Sequence, residues 1–162
     1  MLSEADRLNK QLQERTCDSL KGRIQYYLTR YHDVHNSYGR ASVRLDGHEM
    51  VNFSWVEVYK QDSDTGRIFD ETGVWDYDAP ELKAKWDAEG TFSDYDFLEA
   101  ATDYLQLGIK DALDSDNYLI RMFAILDRRV GRRTLEAIKK SEAYREYPDW
   151  LRQFYELRIN AM

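Results

Sequence analysis

RASVRLDGHEMVNFSWVEVY, residues 40–59, holds the strongest hairpin signal in the chain and decides that the fold contains a sheet. Asp-Gly between two alternating apolar runs suits a tight turn, because the favoured turn needs positive φ at both central residues. A two-residue turn at Asp46-Gly47 would put Ala41, Val43 and Leu45 on the face opposite to Val51, Phe53 and Trp55. A three-residue connection, Asp46 to His48, instead sets Val43 across from Val51 and Ala41 across from Phe53, so that one face is apolar. Register follows the buried face, and the longer turn is expected.

Working outward, RIQYYLTRY (23–31) alternates Ile24, Tyr26 and Leu28 against Gln25, Tyr27 and Thr29, the period of a strand. With the hairpin it predicts a three-stranded antiparallel meander, whose apolar side needs a cover of helices. Before it, Ser3 to Leu20 reads as a helix capped by Ser3, with Leu8, Leu12 and Leu20 at near-helical spacing. After it, Gln61 to Gly90 is acidic, aromatic and rich in turns, and Pro80 opens a short helix that ends at Gly90. Ser93 caps a helix with Asp94 and Asp96 in its first turn and Phe97, Leu98, Ala101, Tyr104 and Leu105 as its apolar stripe. A short piece through Ile109 and Leu113 follows. Asp114 to Asn117 then cap a helix expected over 117–130, apolar around so much of its circumference that it should be central. Gly131 ends or bends it, Leu135 and Ile138 continue in another helix, and Tyr147-Pro148 starts the last, with Trp150, Leu151, Phe154 and Leu157 inward. The expected fold is α+β: an N-terminal helix, a three-stranded antiparallel meander, and a helical C-terminal half packed on one sheet face. The 162 residues suit a single domain, divided as helix plus meander (1–60), acidic aromatic connection (61–90) and helical part (91–162).

The single cysteine, Cys17, cannot form an internal disulfide, which fits a reducing compartment and a cytoplasmic protein. The N-terminus is charged from Glu4 onward, and no window is apolar enough to cross a bilayer, so neither a signal peptide nor a membrane partner is expected. Net charge is −7 but unevenly spread. Asp62 to Asp103 holds thirteen acids against three bases, a net of −10, whereas Asn117 to Lys140 holds seven bases and two acids, a net of +5. The two segments either neutralise each other or offer charged faces to partners. The overall acidity disfavours nucleic acid, whose phosphates supply most of that affinity.

Asp64-Thr65-Gly66 copies the aspartic-protease tripeptide, but its polar flanks make it a turn. His32 and His35 are spaced to reach a metal, yet His48 lies in a different turn and thiolates are lacking, so no metal or other cofactor is expected. The arginines are the stronger signal. Arg121 precedes Arg128 by seven residues, which on one helix would share a side, while Asp127, Arg129, Arg132 and Arg133 gather around Gly131. Guanidiniums complement a helix C-terminus, pair with acids, or bind carboxylate and phosphate in planar bidentate fashion. On the last reading the binding residues are Arg30, Tyr31, Arg40, Arg121, Asp127, Arg128, Arg129, Arg132 and Arg133. No catalytic residue is assigned.

KGRIQYYLTRY (21–31), GRASVRLDGHEMVNFS (39–54), FSDYDFLEAATDYL (92–105) and ALDSDNYLIRMFAILDRRVGRRTL (112–135) together resemble a family of small bacterial proteins of uncharacterised activity. The likeness covers most of the chain and implies a bacterial, stand-alone, soluble domain. It carries over no reaction. Twelve Tyr, six Phe and four Trp exceed what such a core needs, and several lie beside the acidic middle. Exposed aromatic rings suit a protein–protein interface. The expected function is therefore a non-enzymatic interaction domain of the immunity or antitoxin kind, with another protein as partner. The alternative is an enzyme or sensor that binds a small anion through the arginine cluster.

Overall fold

The computed structural model describes residues 4–30, 39–54 and 80–162. Within them the chain runs α1 (Glu4–Arg15), β1 (Ile24–Arg30), β2 (Gly39–Leu45), β3 (His48–Ser54), α2 (Pro80–Glu89), α3 (Asp94–Gln106), α4 (Ile109–Leu113), α5 (Tyr118–Ile125), α6 (Arg132–Lys139), a 3-10 turn (Ala143–Glu146) and α7 (Asp149–Asn160). The strands form one antiparallel sheet in the order β1-β2-β3. This is the expected α+β architecture. Trp55 to Tyr59, the acidic aromatic stretch up to Ala79, His32, His35 and Tyr31 lie outside the described residues.

The hairpin corrects one expectation and keeps its consequence. Asp46 and Gly47 both take positive φ, 51° and 86°, and Leu45 pairs directly with His48, so the turn has two residues and not three. Arg44 pairs with Glu49, but Val43 pairs with Val51, which leaves Met50 as the extra residue of a β-bulge. One inserted residue shifts the side-chain alternation by one. The bulge therefore restores Val43 opposite Val51 and Ala41 opposite Phe53, and with Ile24 and Tyr26 these form the buried face. On the other face Arg44 lies over the Tyr27 ring at 4.5 Å, and Arg40 ion-pairs with Glu49 and donates to Asn52 at 3.0 Å.

Phe123 of α5 stands at the meeting point of sheet and helices. Its ring lies 5.6 Å from Tyr26, 5.4 Å from Phe97 and 5.3 Å from Tyr104, and Phe97 in turn sits 5.8 Å from Phe53. Removing such a side chain from water contributes roughly 1.5–3 kcal/mol, and each well-placed ring pair adds about 0.5–1.5 kcal/mol. The caps fall where the sequence puts them. Ser93 and Asp96 form a reciprocal capping box at 3.1 and 2.9 Å, and Asn117 accepts the N–H of Leu119 at 2.9 Å. Gly90, at φ 74°, follows α2 against Trp150, whose ring would meet an added Cβ at 3.0 Å. The Trp150 indole N–H donates to Asp87 C=O at 2.7 Å and ties α7 to α2.

Two helices stop short of expectation. α1 ends at Arg15 because Thr16 enters a β-bridge with Asp127 and the Cys17 N–H donates to Leu126 C=O at 2.8 Å. α5 ends at Ile125, five residues before Val130, because the Asp127 carboxylate takes the Arg129 N–H at 2.8 Å and offers the backbone a turn instead of a further helical bond. Gly131 accordingly stands at the N-cap of α6 and does not end α5. Arg128 is thus off the helix that carries Arg121, and the shared helical side expected from their spacing does not exist. Among the described residues no helix is long and apolar enough to cross a membrane.

Candidate functional site

The LDRRVG turn, residues 126–131, is knitted to three elements, α1, α3 and α7, by its polar atoms. Asp127 is completely buried. Its carboxylate accepts the Tyr104 hydroxyl of α3 at 2.5 Å and the Arg129 guanidinium at 2.7 Å from Nη2 and 3.0 Å from Nε, besides the Arg129 backbone. Arg158 of α7, also buried, donates from Nη2 to Val130 C=O at 2.7 Å and to Asp127 C=O at 3.3 Å. The backbone of the turn meets the end of α1 twice more, through Leu126 C=O and through the Arg128 N–H, which donates to Arg15 C=O at 2.8 Å. Burial alone would push the Asp127 carboxyl up, but the hydrogen bonds from Arg129 and Tyr104 outweigh it and hold the group below the usual carboxylate range. Burial first, then the hydrogen bond to Asp127 and its charge, push the Tyr104 phenol far above its ordinary value, so it stays a proton donor to the carboxylate. Around Asp127 this is folding chemistry: a buried charge made tolerable by pairing and hydrogen bonding.

The arginines singled out by the sequence separate accordingly. Arg129 belongs to Asp127. Arg121 donates to the Tyr147 hydroxyl at 2.7 Å and to Ser115 C=O, and its guanidinium lies 4.9 Å from the centre of the Tyr147 ring. Arg40 is held by Glu49 and Asn52 on the sheet, and Arg132 by Glu136 at 3.1 Å within α6. Arg30 pairs with Gly39 as a backbone position of β1, and Tyr31 lies outside the described residues. Arg133 is exposed on α6. The structure therefore does not bring Arg40, Arg121, Arg129 and Arg132 into one pocket, since each is engaged by its own partners.

Arg128 is different. Its backbone is fixed by Arg15, yet among the described residues its exposed side chain makes no ion pair or hydrogen bond, and it lines a cleft of about 450 Å³ between α1 and α3. Arg7 and Arg15 reach the same cleft from α1, and Leu8, Leu98 and Leu105 supply its apolar lining. Arg15 donates from Nη2 to Leu105 C=O at 3.0 Å, and its guanidinium packs 5.5 Å from the centre of the Tyr104 ring, so the cleft shares a wall with the Asp127 hub. Arg7 and Arg15 are absent from the sequence-derived set. A signal was available: positions 7, 11 and 15 recur every four residues, placing Arg7, Gln11 and Arg15 on one side of α1. Among the described residues no group of three or more His, Cys, Asp or Glu side chains could hold a metal ion, and His48 is exposed at the start of β3.

No curated protein and no solved structure matches the chain. A family model does, from residue 7 to residue 159, a span that takes in most of α1, the sheet, the LDRRVG turn and nearly all of α7; the chain belongs to the SF0329 protein family.

Proposed function

We propose that the chain is a bacterial, non-enzymatic protein-interaction domain that acts, like an immunity protein or antitoxin, by occupying its partner. The α1–α3 cleft carries this reading. It combines apolar side chains with arginines in one lining, the residue types of an interface, in which arginine is among those that contribute most. The polar groups of the LDRRVG turn support it indirectly, because their partners lie inside the fold. The test is purification at natural abundance under native conditions, followed by light scattering on a sizing column. A stoichiometric complex with a second protein is expected, and Arg128→Glu should weaken it without lowering the melting temperature of the isolated chain. A chain that runs alone at every step removes the reading.

A small anionic ligand is the second reading, favoured by the volume of the cleft, which lies in the range of small-molecule sites. A ligand that binds only the native state raises its stability by mass action. A thermal-shift screen of phosphorylated metabolites, nucleotides and carboxylates should then produce hits that Arg128→Glu abolishes.

A further inference from the structure

We infer that the α1–α3 cleft receives an acidic, amphipathic segment of the partner protein, an assignment that rests on the interaction reading above. Charge complementarity argues for it. The charged residues lining the cleft are Arg7, Arg15 and Arg128 against Glu14, a net of +2 on a chain whose total is −7. A basic segment would meet like charge there, and like-charge juxtaposition across an interface suppresses the wrong partner. The apolar lining adds the second requirement. Leu98 and Leu105 are only half-buried, so a partner must bring apolar side chains to complete their burial as well as carboxylates for the arginines.

The cations are also positioned in advance. Arg15 is held by Leu105 C=O, and Arg128 leaves the chain from a residue whose N–H is bonded to Arg15 C=O. The Arg15 guanidinium is thus held in the cleft wall with Nη1 buried, while Arg128 projects from the hydrogen-bonded neighbouring backbone. Arg128 has its guanidinium donors free of partners among the described residues, which suits a bidentate pair with a partner carboxylate. Such a pair, exposed in part, weakens as salt rises.

The experiment places a photo-crosslinking amino acid at Gln106, an exposed residue lining the cleft, in the full chain expressed in its native host, with a control at exposed Tyr27 on the sheet. The crosslinked partner peptide is sequenced by mass spectrometry. The expected adduct forms from position 106, maps to a segment of net negative charge with interspersed apolar residues, and falls at least tenfold in Arg128→Glu but not in Arg133→Glu. A neutral or basic crosslinked segment overturns the inference, as does an equal loss in both charge variants, which would reflect bulk charge. Adducts from Tyr27 alone overturn it too, while leaving the interaction reading standing. No protein adduct from either position, together with stabilisation of the chain by a small anion, removes both. Melting curves of the two variants confirm that folding is unchanged.

Discussion

Two Asp–Arg turns in this molecule have the same chemistry and different weight. At the hairpin, Asp46 accepts both Arg23 Nε at 3.1 Å and Nη2 at 3.0 Å, with both side chains about half exposed. At the LDRRVG turn, Asp127 accepts Arg129 with comparable geometry, but its carboxylate is fully buried and also serves Tyr104 and the backbone. Water screens the first pair and competes for it, so the turn there depends on backbone conformation. In the second no water replaces a lost partner, so the side chain holds the loop, ends α5 and ties the turn to α3 through Tyr104. Burial, not pairing, makes an ion pair structural.

The comparison breaks most sharply at Asp127→Ala, which leaves the Tyr104 hydroxyl and the Arg129 N–H without their acceptor. We expect a loss of about 3 kcal/mol in urea unfolding, and a loss below 1 kcal/mol would contradict the hub. Tyr104→Phe removes a single bond to the charged carboxylate and should cost about 2 kcal/mol, measured in the same way.

The pH dependence follows from the lowered Asp127 carboxyl. A group whose folded value lies below its unfolded one stabilises the fold above the unfolded value, and that contribution is lost as pH falls through the folded value. The unfolded carboxyl titrates near 3.9. The stability gap between the native chain and Asp127→Ala should therefore be constant from neutral pH down to about 5 and narrow as pH falls below about 4; a gap unchanged down to pH 2 would count against the assignment. The smallest effect belongs to the exposed turn. Arg23→Gln should leave the melting temperature unchanged within error, despite a bidentate contact as good as that of Arg129.

Much of the fold was legible because its signals are local. Asp-Gly announced a hairpin, Ser93 and Asn117 announced helix starts, and Gly90 a helix end, each through its own backbone or its nearest neighbours. The turn length was misjudged because the two-residue turn and the apolar faces conflict in sequence, and a bulged Met50 resolves that conflict only where β2 and β3 pair. The arginines were misjudged for a related reason. The seven-residue spacing of Arg121 and Arg128 assumed a helix running on to Val130, whereas Asp127 ends it by binding Arg129. Arg158, about thirty residues away, has no local mark distinguishing it from any basic residue near a helix C-terminus.

By itself, then, the sequence determined the α+β class, the strand order implied by a meander, the caps and most of the core, because periodicity and turn chemistry act over a few residues. Tertiary structure alone decided which arginines are internal and which face solvent, since that depends on whether a carboxylate from a distant element is buried within reach. It reduced the cluster around LDRRVG to a structural hub with one cation, Arg128, left to line a cleft that α1 and α3 create only by packing together.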